Sequence, residues 1–116
     1  METCRRYAKP CFPSASTPTE ILRAYTMGAD AVKVFPCGNL VGLPCIKAVR
    51  ASFPQILLVS AGGVNLETAE PFLTAGVFAL GVGSAITDKK AIAEGHFEVI
   101  TENVRKFMVV MKRVRG

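Results

Sequence analysis

Tryptophan is absent, tyrosine occurs twice and histidine once, so imidazole ligands for a metal ion are short, and neither tryptophan nor tyrosine is interleaved with the basic residues of the last helical stretch. His96 alone cannot build a histidine-rich metal motif. The four cysteines, Cys4, Cys11, Cys37 and Cys45, form no C-x-x-C pair, which removes the usual zinc spacings and predicts four reduced thiols. No metal or other cofactor is expected. No apolar run reaches the ~18 residues of a membrane span, and the opening stretch METCRRYAK lacks the apolar core of a signal peptide, so no membrane partner and a cytoplasmic location are expected. Acidic residues are also short: Asp and Glu total 9 against 14 Lys and Arg, a net charge of +5. That excess sits largely in the last helical stretch, at Arg105, Lys106, Lys112, Arg113 and Arg115. No nucleic-acid-binding motif accompanies it, and cations placed toward a helix C-terminus on a solvated face account for it, so no nucleic-acid partner is expected.

Apolar residues are plentiful, at 50% of 116, enough for the core of one domain over residues 1–116. That is short of the roughly 200 to 250 residues of many β/α-barrel enzymes. Four units of apolar strand followed by helix start recur at roughly 20 to 25 residues, the spacing of β/α units. The strands are predicted at Lys9 to Pro13, Asp30 to Phe35, Ile56 to Ala61 and Val77 to Gly83. Apart from Lys33 they carry almost no charge, as expected of parallel strands covered by helices.

Helix punctuation supports the segmentation. Thr17, Pro18 and Glu20 form an N-cap, a first-turn proline and a capping-box partner, and Gly28 gives a left-handed stop. Asn65 and Gly76 play the cap and stop roles for the helix after the third strand, with Pro71 expected to shorten or kink it. GLPCIKAVRAS is the helix joining the second strand to the third. Phe97, Ile100, Val104, Phe107, Met111 and Val114 recur at helical intervals and predict one apolar stripe for core or subunit contact, preceded by His96 as a cap or surface residue. METCRRYAK resembles the tail of a helix, which predicts that further sequence precedes it.

Two predicted strands end in glycine-rich turns, SAGGVN (60–65) and GVGSAI (81–86). Turn geometry alone explains either one. Together, on consecutive strands, they fit the phosphate site that β/α barrels build after strands seven and eight, with TDKKAIAEG as the short extra helix or the start of the closing one. The four strands then correspond to strands five to eight of an eight-stranded barrel, and Lys33 lies on strand six.

Alternation along that strand puts Ala31, Lys33 and Phe35 on one face and Val32 and Val34 on the other. If the valines pack on helices, Lys33 points into the barrel interior. Burial there disfavours the charged form, and a neutral amine attacks ketones, the chemistry of Schiff-base lysines. The alternative is a lysine that reaches past the strand end or meets a buried carboxylate. An amine and a phosphate cradle at one rim together imply a small phosphorylated keto-acid substrate.

The motifs PSASTPTEI, VKVFP, GGVNLETA and GVGSAI, in this order, resemble those of the 2-keto-3-deoxy-6-phosphogluconate (KDPG) aldolases and the related 4-hydroxy-2-oxoglutarate aldolases. The resemblance implies a TIM-type barrel, here its C-terminal half. It makes Lys33 the imine-forming residue, followed by Phe35 and Pro36 at the substrate, and assigns Gly62, Gly63, Gly83 and Ser84 to the phosphate. The reaction it implies is metal-free cleavage to pyruvate and an aldehyde. Ser14, Cys37 and Ala61 depart from the glycine, alanine and threonine usual in those motifs. The family's acid/base glutamate comes from the first half of the barrel, and Glu20 is explained by its cap. The resemblance further implies a homo-oligomer, a trimer, while two open sheet edges favour pairing of half-barrels. A non-catalytic module for phosphate binding or oligomerisation is the competing reading.

Overall fold

The computed structural model describes residues 1–38 and 42–116. Along the chain run α1 (Glu2–Arg6), β1 (Ser14–Ala15), α2 (Pro18–Thr26), β2 (Val32–Val34), α3 (Leu43–Ser52), β3 (Leu58–Ala61), α4 (Leu66–Thr74), β4 (Ala79–Gly81), α5 (Lys89–Ala93) and α6 (Phe97–Arg115). The four strands form one parallel sheet in the order β1-β2-β3-β4. Sequential parallel pairing with a helix in each crossover is the β/α-barrel pattern.

The first strand lies later than predicted, at Ser14–Ala15 rather than Lys9 to Pro13. Pro10 and Pro13 lack the N–H that a ladder needs, so regular pairing begins only beyond them. The preceding segment still lies alongside β2: Asp30 N–H donates to the Cys11 carbonyl at 3.1 Å and Lys33 N–H to the Pro13 carbonyl at 2.8 Å. The Asp30 carboxylate also accepts from Cys11 N–H at 2.8 Å. The other three strands fall inside their predicted spans.

Local signals in the sequence set the helix ends. Thr17 caps α2 by accepting from Glu20 N–H at 3.2 Å, while its hydroxyl donates to the Glu20 carboxylate at 2.9 Å, a variation on the predicted box. Asn65 caps α4 reciprocally with Thr68. Gly28 and Gly76, at φ +94° and +97°, turn the chain out of α2 and α4 in the left-handed region. Pro71 does not end α4, which runs on to Thr74. Gly95 (φ +75°) separates α5 from α6, so TDKKAIAEG contains a short helix of its own.

Val32 and Val34 of β2, Leu58 of β3, Ile21, Ile46, Val49, Phe72 and Leu73 of the crossover helices, and Phe107 and Val110 of α6 make one continuous core. The α6 stripe is rotated relative to prediction: Val110 is buried, whereas Phe97 and Val104 stand exposed at 61% and 39%. The basic residues of α6 are partly engaged. Arg113 pairs with Glu70, Arg105 with Glu102, and Arg115 donates to the carbonyls of Val77 and Phe78. None of the helices among the described residues is long and apolar enough to cross a membrane.

Ser60 shares the face of Val34 and is fully buried, and its hydroxyl has no hydrogen-bond partner among the described residues. A buried hydroxyl without a partner carries an uncompensated desolvation cost. Ser60→Ala is therefore expected to leave stability unchanged or raise it by about 1 kcal/mol. Urea unfolding of the two proteins decides it, and a clear loss of stability would reveal a partner for the hydroxyl.

Candidate active site

The ladder register places Ser14, Lys33, Val59 and Ala79 side by side across the four strands. The helices cover the opposite face, where Val32 and Val34 lie; of these four residues Val59 alone is buried, and none joins the main core cluster. Lys33 is thus on the expected side of β2, half-buried, with its Nζ 5.5 Å from the centre of the Phe35 ring. That distance is within cation–π range. Among the described residues no carboxylate pairs with Lys33, which removes the buried-carboxylate alternative there.

Beyond β2 the chain turns through Phe35, Pro36 and Cys37. Phe35 is 47% exposed on the same side as Lys33. Cys37 is buried and its thiol donates to the Val34 carbonyl at 3.0 Å. Loss of solvent pushes that thiol's pKa up, opposed by its contact with the Ala61 backbone. Cys37 N–H donates to the Ala61 carbonyl at 2.9 Å, which ties this turn to the end of β3.

The two glycine turns differ in what their glycines do. Gly62 and Gly63 both have positive φ, +79° and +74°. A Cβ on Gly62 would lie 2.7 Å from the Phe35 ring, and one on Gly63 would lie 2.5 Å from Gly38 Cα. This pair is required by the contact between neighbouring turns. Gly83 has open space where its Cβ would be. Turn packing therefore does not explain Gly83.

Gly83 and Ser84 instead line a cavity of about 550 Å³, together with Ala85, Thr87, Lys89 and Asn103. The loop is held by Thr87, whose N–H and hydroxyl both donate to the Gly83 carbonyl at 3.0 Å, and by Asn103 of α6, whose amide donates to the Ile86 carbonyl at 3.1 Å. A second cavity of about 380 Å³ lies between Ala85 and the start of α4 at Asn65, Leu66 and Glu67. Ala85 is common to both, so the two glycine turns are neighbours. The N–H groups of Gly63, Ser84 and Ala85 have no acceptor among the described residues. Lys33, Phe35, Gly62 and Gly63 line neither cavity. Thr87, Lys89 and Asn103 were not singled out individually from the sequence, where TDKKAIAEG is expected to be the short extra helix of a phosphate site or the start of the closing helix.

A family model described as KDPG and KHG aldolase matches residues 1–103. The chain belongs to that family. Among its relatives, the 2-dehydro-3-deoxy-phosphogluconate aldolase of Haemophilus influenzae is 28% identical over 112 residues, covering 97% of this chain and 53% of that protein. The corresponding aldolase of Treponema pallidum is 32% identical, covering 84% and 47%. A KDPG aldolase from Legionella pneumophila, solved with pyruvate captured as a covalent carbinolamine intermediate, superposes with a TM-score of 0.74 at 31% identity, over 88% of this chain and 48% of that one. This chain thus spans about half the length of the KDPG aldolases it matches. Its four parallel β/α units are half of a TIM-type barrel.

The difference between the glycines is measurable. Gly63→Ala, which must displace backbone at a positive φ, is expected to cost about 2 kcal/mol or more in a denaturant titration. Gly83→Ala should shift the unfolding midpoint little, and an equal loss at both positions would show that Gly83 too is held by packing.

Proposed function

We propose that this chain carries the imine-forming part of a class I aldolase that cleaves 2-dehydro-3-deoxy-6-phosphogluconate, or 4-hydroxy-2-oxoglutarate, to pyruvate and an aldehyde. The observation that carries the proposal is Lys33, an amine with no ion-pair partner among the described residues, on the sheet face that the helices leave uncovered. Family membership and the covalent pyruvate adduct of the Legionella relative support it. Lys33 Nζ attacks the C2 ketone of the substrate, and loss of water gives a protonated imine. Cleavage of the C3–C4 bond sends its electron pair into that imine while the C4 hydroxyl loses its proton and the aldehyde departs. Protonation of the resulting enamine and hydrolysis then release pyruvate and free the lysine. Phe35 borders the amine, Pro36 follows it in the turn toward the substrate, and Gly62, Gly63, Gly83 and Ser84 belong to the turns that receive the phosphate.

Proton transfer is the part of this reaction for which the rim offers least. Glu20, the carboxylate expected near it, accepts from the Thr17 hydroxyl and is accounted for by that cap. A positioned acid or base contributes on the order of 10²- to 10⁴-fold. Cleavage by this chain alone is expected to be slower than by full-length relatives by about that factor, in a coupled assay for pyruvate release. Turnover equal to theirs would show that these residues already include the proton-transfer group.

A second reading, a non-catalytic phosphate-binding or oligomerisation module, is favoured by the apolar exposure of Phe35 and Leu57, at 47% and 42%. We assign self-association to this face, as paired half-barrels or a family-like trimer. Borohydride reduction with pyruvate separates the readings. The aldolase reading expects a mass increment on Lys33 that Lys33→Arg abolishes; no adduct across the pH range leaves the module.

A further inference from the structure

Two cationic side chains, Lys89 and Lys90, stand at the start of α5, immediately after the loop that carries Gly83 and Ser84. Lys89 lines the 550 Å³ cavity and Lys90 does not. Lys89 is exposed and has no ion-pair partner among the described residues. The other charged side chain on the wall is Asp88, whose Oδ1 accepts from Ala91 N–H at 3.0 Å as the cap of α5. The carboxylate is therefore held in place by the fold, and its charge opposes any anion that enters. The two charges of the wall cancel only while Lys89 is present. Without it the lining carries one negative charge, and the free N–H groups of Ser84 and Ala85 would face a phosphate across a repulsive field.

We propose that Lys89 supplies the counter-charge for the phosphate group in this cavity and so makes this site select phosphorylated over unphosphorylated keto acids. The inference rests on the phosphate-site reading of Gly83 and Ser84. Hydroxyl and backbone donors orient the phosphate oxygens, and the ammonium adds a charge-assisted hydrogen bond that a neutral ligand cannot exploit. An exposed lysine on the wall keeps its reach, because its flexible four-carbon stem lets the charge follow an anion that enters.

Inorganic phosphate is the probe. Titrated into the intact chain, it is expected to give saturable amide shifts at Ser84 and Ala85. Lys89→Gln should weaken that binding by about three- to tenfold, the range for one charge-assisted contact partly screened by solvent. Lys89→Arg should restore it to within about twofold, and Lys90→Gln should leave it unchanged. Equal affinity for Lys89→Gln and the unaltered chain would overturn the assignment of Lys89 while leaving the site. No saturable response in the unaltered chain would overturn the phosphate site, and Lys89 with it. Trapping of pyruvate on Lys33 by borohydride reports separately on the aldolase reading and is expected to be the same in Lys89→Gln.

Discussion

Handedness of the β/α crossover organises this molecule. A strand, helix and parallel strand connect with one hand, and three such connections in sequential order must place all three helices on the same side of the sheet. The consequence is asymmetry: Val32, Val34 and Leu58 are sealed beneath α2, α3 and α4, while Lys33 and Val59 in the alternate positions face away from every helix. The period of two along a strand then separates structural residues from chemical ones without any further instruction. An amine can be kept out of the core and still be rigidly positioned, because it shares its backbone with residues that cannot move.

The turns at the strand ends are coupled to one another in the same spirit. The β2 turn presses Phe35, Pro36 and Gly38 against the β3 turn, and Cys37 bonds across to Ala61. This leaves room only for glycine at 62 and 63. The family motif GG is thus as much a consequence of two turns packing as of anything a ligand requires. The turn after β4 is different. It closes on itself through Thr87 and the Gly83 carbonyl, and it keeps Gly83 and Ser84 beside open space.

Much of this was legible in the sequence because the signals are local. Caps such as Thr17 and Asn65 act within three residues, and alternation fixed the sidedness of Lys33. The location of β1 was not legible to the residue, because Pro10 and Pro13 remove ladder donors while the carbonyls of Cys11 and Pro13 still accept from Asp30 and Lys33, so the chain is aligned before it is a regular strand. The buried position of Val110 in place of Val104 depends on how α6 rolls onto α4, which no periodicity reveals. The opposite meanings of Gly62 and Gly83 required the neighbouring turn to be seen, and Lys89 gained its meaning only from the cavity it borders. Ser60 is the clearest local conflict: a polar residue in an apolar strand whose hydroxyl found no partner.

Asn103 gives the loop after β4 a dependence on chain order. Its amide, well inside α6, holds the carbonyl of Ile86, seventeen positions earlier in the chain. During synthesis the loop emerges before its anchor. The loop that carries Ser84 and Ala85 gains this anchor only once α6 has docked. The wall of the cavity after β4 therefore closes with the last element of the chain, and its order depends on the seating of α6, which contributes Asn103 to that wall.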